Sequence, residues 1–251
     1  MRSRAVAYAG LMGSLGLLLA ACASDPAFIA KDAPASSDLR SVLVLPANFD
    51  SSPGPLLTHG AELVESELRD YLVDRGYEVR SLRLSSVLAH WSAGVDDVGG
   101  TISDEDAKLS PSLYDAARRE VARRALADDP ADAVVMPTLL VRTGRVYGPH
   151  LHWDGVVREI PIDLKNTNVG ITGMSGKAPG TSLRVSVYDA RAVKIFERIV
   201  GLEPINMIEG MSQTRYRWDV RDDLFRDGPL LREGIVTSFE PWLAGPDPAS
   251  E

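Results

Sequence analysis

Between positions 42 and 82 the hydrophobic period changes twice, and this switch limits the folds open to the chain more than any other feature. Residues 42–45, Val-Leu-Val-Leu, form a short apolar run stopped by Pro46, as expected of a buried strand. From Thr58 to Arg75 the period is helical. Val64, Leu68, Tyr71 and Leu72 fall at i, i+4, i+7 and i+8, and Gly76 stands where a left-handed C-terminal cap belongs. Residues 77–82 then read as a second strand. A β-α-β unit of this kind implies parallel strands joined by a right-handed crossover.

The pattern continues beyond it. Residues 85–109 hold Trp91, the Gly99-Gly100 pair and an acidic run at 104–106, and read as a long excursion. Ser110-Pro111 starts a second helix, a cap residue followed by proline at the first helical position, which ends near Asp129-Pro130. Leu113, Ala117, Val121 and Ala125 make its apolar stripe, and Arg118, Arg119, Arg123 and Arg124 read as its solvated face. "ADAVVMPTLLVR" has the near-continuous apolarity of a central strand, although Pro137 argues for a bulge or an edge. Residues 156–164 alternate as a further strand. Residues 183–188 and 193–200 flank a turn at 189–192 as an antiparallel hairpin, and a last helix is expected within 222–243. The sum is an α/β fold: a single sandwich-like domain with a parallel β-α-β-α-β first half, followed by an antiparallel meander and a C-terminal helix.

The amino terminus carries a different message. Arg2 and Arg4 precede an apolar stretch that ends in small residues, the three-part plan of a secretory signal peptide. Leu19-Ala20-Ala21-Cys22 resembles the lipobox of bacterial lipoproteins. The resemblance implies diacylation of the Cys22 thiol, cleavage before it and acylation of the new amino terminus, at about 0.8 kcal/mol of membrane affinity per buried CH₂. In lipoproteins of enteric bacteria an aspartate after that cysteine marks retention at the inner membrane. Here the position is Ala23, so the resemblance implies the outer membrane, facing the periplasm. Cys22 is the only cysteine of the 251 residues, which leaves the rest of the chain without disulfides. Cleavage would remove two arginines and no acid, taking the net charge from −8 to −10. That acidity disfavours nucleic acid and supplies no polybasic aid to anchoring. The organisation expected is a signal peptide over 1–21, the lipidated cysteine and a flexible tether over 22–37, a domain over 38–244 and a polar tail over 245–251. Extended at roughly 3.3 Å per residue, such a tether would reach about 50 Å.

"SVLVLPANFD", "ELVESELRDYLVDRGYEV" and "ADAVVMPTLLV" together resemble the small α/β domain shared by periplasmic assembly and transport-auxiliary proteins, among them the amino-terminal domain of the Tol-system propeller protein and the curli-secretion lipoproteins. The resemblance implies non-catalytic binding of another cell-envelope component, without a cofactor.

The residues offer two candidate sites. In "VYGPHLHWDGV", an extended backbone would project His150, His152 and Asp154 from one face, a donor set for a divalent metal; the alternative function is therefore a metal-dependent periplasmic enzyme. Trp218, with Arg215 and Arg217 beside it, has the composition of a partner-binding patch, although core packing explains Trp218 equally well. No G-x-S-x-G elbow is present. "GITGMSGKAPG" lacks the first glycine and the hydroxyl residue of a phosphate loop and reads as a mobile loop.

Overall fold

The computed structural model describes residues 27–50, 54–100, 109–162, 174–212 and 215–243. The stretch read as a signal peptide, Cys22 and the stretch read as a polar tail lie outside the described residues.

The helix read from the sequence is α1, Pro55–Asp74, and it closes as its glycine foretells. Gly76 adopts φ +88°, its N–H donates to Val73, and the Tyr77 N–H reaches back to Leu72, which satisfies two otherwise orphaned carbonyls. It connects β2 (Ser41–Val44) to β3 (Glu78–Ser81), and these pair in parallel. Asp132 aligns the start of β2. One of its carboxylate oxygens accepts the N–H groups of Arg40 and Ser41, each at 2.9 Å, and these bonds hold its pKa below the ordinary value.

The expected parallel sandwich is not the fold. The described sheet runs β1-β8-β7-β4-β2-β3 and curls into a half-barrel in which antiparallel ladders dominate. Two long strands decide this. β4 (Ala133–Tyr147) and β7 (Ser175–Asp189) are 15 residues each and pair antiparallel along their whole length. Against β2, β4 pairs in parallel only from Ala133 to Val135. The parallel ladder ends there because Pro46 stops β2 and Pro137 withdraws a donor on the side facing it. β8 (Lys194–Pro204) continues the antiparallel order, and β1 (Phe28–Ile29) closes its edge. Pro137 thus sits inside a central strand, at the point where one neighbour leaves.

Two helical layers cover the sheet. On one face Val64, Leu68 and Leu72 of α1 and Ile235, Phe239 and Trp242 of α4 (Gly228–Leu243) bury Val42, Val135, Leu183 and Val185. On the other, α2 (Leu84–Asp97) and α3 (Pro111–Asp128) bury Leu43, Leu45, Val134 and Met136. The segment read as an excursion is therefore a helix through residue 97. Gly94 lets it approach α3, since a Cβ there would stand 3.1 Å from the Ala117 carbonyl.

Past the helices, β4 and β7 extend as a tongue. β5 (His150–Trp153) and β6 (Val156–Glu159) fold back onto it, and the ribbon of β9 (Asn206–Ser212) and β10 (Arg215–Val220) joins the third apolar cluster. The glycines of this region make room for Trp153: a Cβ on Gly180 or Gly201 would fall within 2.6 to 2.9 Å of its indole.

Of the stretch read as a tether, residues 27–37 lie on the domain. Phe28 and Ile29 pair with Glu197 and Phe196, and the Ser36 carbonyl accepts the Tyr77 hydroxyl at 3.1 Å. No described helix is long and apolar enough to cross a membrane.

Candidate ligand cleft

Where β2 leaves the sheet, its loop is held by side chains instead of by a strand ladder. The Leu45 N–H still donates to Val135, and the Asn48 N–H reaches the Pro137 carbonyl at 3.3 Å. Asn48 then takes the place of a strand residue. Its Nδ2 donates to the Leu139 carbonyl and its Oδ1 accepts the Leu139 N–H, both at 2.9 Å. Asn48 itself is buried at φ +61°, a conformation that asparagine tolerates better than most side chains.

Two residues on, Asp50 enters a buried charge cluster. Its Oδ2 accepts Arg118 Nη1 at 2.5 Å and also the Tyr114 hydroxyl, and the Asp50 and Arg118 side chains are 0% and 1% exposed. Arg118 further donates to the Thr138 hydroxyl at 3.0 Å, and to the Met136 carbonyl and Ser186 hydroxyl at 3.3 Å each. One guanidinium thereby ties α3, β4, β7 and the loop after β2 together. Burial pulls its pKa down, but the Asp50 carboxylate, joined by Tyr188 and Tyr114, outweighs burial and the net shift is upward. Arg184 donates to the Tyr114 hydroxyl at 2.7 Å, and Ser186 donates to Glu197 at 2.8 Å.

This pinned loop walls a cleft of about 380 Å³ at the carboxyl ends of β2 and β3, between the first turns of α1 and α2. Ligands of open α/β sheets settle at strand ends of this kind. Leu82, Leu84 and Leu88 form one side, with Leu84 and Leu88 51% and 45% exposed at the rim. Thr58, Glu62 and Glu65 of α1 form the other. The described lining includes two carboxylates and no basic side chain. Burial raises the Glu65 pKa, against the opposing pull of Arg69 and of a hydrogen bond from the Ala47 backbone.

The residues singled out in the sequence lie elsewhere. Cys22 is outside the described residues, as is the side chain of Arg215. Arg217 is exposed and pairs with Glu209 at 2.8 Å, whereas Trp218 lies half-buried against the third apolar cluster. His150 and His152 share the outer face of β5, where the Tyr147 ring meets His152 edge-on at 5.3 Å. Asp154 does not join them. It occupies the β5–β6 turn at φ +38° and accepts the Ser182 hydroxyl at 2.6 Å and Arg142 at 3.2 Å. Among the described residues, no three His, Cys, Asp or Glu side chains group to hold a metal ion. Trp242 is core, stacked on Phe196 at 5.8 Å.

Sequence reasoning missed Arg118, Asp50, Asn48 and Glu65. A faint signal for the first exists: Tyr114, Arg118 and Ala122, at i, i+4 and i+8, run beside the apolar stripe of α3, so Arg118 has an aromatic and a small residue along its own column.

No family model matches the chain, and no curated protein matches it. Among solved structures the chain is similar to a PelC variant dodecamer from Paraburkholderia phytofirmans. The identity is 11%, 84% of this chain and 93% of that one are covered, and the TM-score is 0.35, at which the likeness carries no argument.

Proposed function

We propose that the protein is a lipid-anchored module of the outer membrane, facing the periplasm, which binds another component of the cell envelope through the cleft between α1 and α2 and catalyses no reaction. The observation that carries the binding role is the pairing of two half-exposed leucines with two carboxylates across a pocket whose backbone is fixed by buried bonds. Exposed leucines contribute affinity when covered, at roughly 25 cal/mol per Å². Glu62 and Glu65 select what covers them. The partner that fits is a polypeptide segment presenting an apolar side chain next to a lysine or arginine. Because the loop is already held, the protein has little ordering to do on binding. Lipidation rests on the Leu-Ala-Ala-Cys sequence, and Cys22→Ser should abolish incorporation of a palmitate analogue and membrane retention.

The binding role is tested by placing a photoreactive amino acid at position 88 and irradiating cells. A discrete adduct with an envelope protein is expected, and Glu62→Lys combined with Glu65→Lys should remove it. Equal labelling from position 88 and from an exposed control such as Val73 would overturn the assignment.

A further inference from the structure

The margin of the sheet that carries the first described strand exposes three large apolar side chains close together. Phe28 and Ile29 of β1 are 47% and 46% exposed, and Val193, in the turn between β7 and β8, is 47% exposed. They form one neighbourhood. Phe28 pairs with Glu197, the Ala30 N–H donates to the Ile195 carbonyl, and Lys194 Nζ lies 5.9 Å from the centroid of the Phe28 ring. The charges within it largely pair off: Lys194 bridges Asp115 at 3.6 Å and Glu197 at 3.4 Å, and Arg191 bridges Asp189 at 2.9 Å.

Distance supplies the second argument. Phe28 is six residues beyond Cys22, and its backbone is already paired to β8. Six fully extended residues span no more than about 20 Å, far less than a free tether ending at residue 37 would allow. A lipid on Cys22 would therefore hold β1 near the headgroups. This margin lies within that reach and offers an aromatic ring and two aliphatic side chains whose neighbouring charges are mutually neutralised, a surface that can settle into a membrane interface.

We infer that β1 and the turn between β7 and β8 form the surface on which the anchored domain rests against the bilayer. This rests on the lipid-anchor reading of Cys22. Its consequence is an orientation: β2 and β3, whose ends form the cleft, lie four and five strands from β1. Measured along the curled sheet, at about 4.8 Å per strand, the cleft lies roughly 20 Å from the membrane-facing edge.

The test uses the lipidated full chain in vesicles of phosphatidylethanolamine and phosphatidylglycerol doped with a nitroxide lipid. With the Cys22 thiol acylated, an introduced cysteine is the single free thiol. A fluorophore at Val193→Cys should be quenched several-fold more than one at Leu88→Cys. Adding Phe28→Ser and Ile29→Ser, both at exposed positions, should abolish the difference while the circular dichroism spectrum is unchanged. Equal quenching at the two positions, with the palmitate analogue still on Cys22, overturns the orientation and leaves the anchor standing. Failure of Cys22 to take up the analogue removes the anchor, and the orientation with it.

Discussion

Replacing Arg118 with methionine tests the central claim about the cleft, that its wall is held by a buried charge. The substitution keeps an unbranched side chain of moderate length and removes every donor. Five contacts end: those to Asp50, Tyr114, Thr138, Ser186 and the Met136 carbonyl. The largest loss is at Asp50, whose Oδ2 keeps only the Tyr114 hydroxyl and whose buried Oδ1 has no hydrogen-bond partner even with Arg118 present. Breaking a buried pair by removing one partner costs about 3–5 kcal/mol, because an uncompensated carboxylate stays behind. For a chain of this length each kcal/mol moves the midpoint by roughly 2–4 °C, so Tm should fall by about 6–20 °C.

The assay is urea unfolding of Arg118→Met, Asp50→Leu and the double variant. Most of the single-variant loss should return in the double, since neither change then strands a charge. Arg118→Lys should remain well below the parent protein, because a point charge cannot reach partners spread over α3, β4 and β7. Amide exchange at Asn48 and Phe49 should accelerate in Arg118→Met more than at Val185, which the guanidinium does not touch. A loss under about 1 kcal/mol for Arg118→Met, or a double variant as unstable as the sum of the singles, would refute a coupled buried pair.

Two further outcomes follow from the same geometry. Gly201→Ala should cost about 1–3 kcal/mol in urea unfolding, because its Cβ would stand 2.8 Å from the Trp153 indole and would also strike Val156; a change within 0.3 kcal/mol would show that Trp153 does not lie on the strand. Glu65→Gln should be more stable than the parent at neutral pH. Burial raises the native Glu65 pKa above its ordinary 4.5, so the penalty of ionising it is absent below pH 4.5 and sets in as pH rises through the raised value. Unfolding at pH 4 and pH 7 measures it, and an advantage that grew on acidification would contradict the assignment.

What the sequence made legible was local. The period of α1, its glycine cap and the serine-proline start of α3 depend on neighbours within four residues, and each formed as read. The parallel β2–β3 pair and the β7–β8 hairpin also formed, but the sheet as a whole did not, because β4 shows one apolar run whether it pairs with β2 or β7, and periodicity carries no label for the partner. Glycine misled twice. Residues 175–180 read as part of a mobile loop, yet they lie in β7, and Gly180 leaves room for Trp153, 27 positions earlier in the chain. The acidic and glycine-bearing stretch after residue 84 hid α2, whose Gly94 serves a close helix contact. Arg118 was assigned to solvent by charge alone. Its partner Asp50 lies 68 positions away, and no pattern within α3 announces it.

The cluster around Arg118 also needs a reason to exist, since apolar side chains of similar size often stabilise a core at least as well as a buried ion pair does. Its return is position: it fixes a loop that has left the sheet, and Asn48 shows how closely that loop is specified. Two substitutions separate its contributions. Asn48→Gly keeps φ +61° accessible and loses both bonds to Leu139, leaving a buried N–H and carbonyl unpaired at a cost of about 2–3 kcal/mol. Asn48→Ala loses the same bonds and adds the left-handed penalty of a Cβ, roughly 1 kcal/mol more. The ordering in chemical denaturation should be parent, glycine, alanine. Both variants should also weaken crosslinking from position 88, because a loop freed from Leu139 must be ordered again when the cleft is filled. If alanine and glycine proved equal, the backbone at 48 would not be held left-handed, and the wall of the cleft would not be pre-formed in the way its bonds describe.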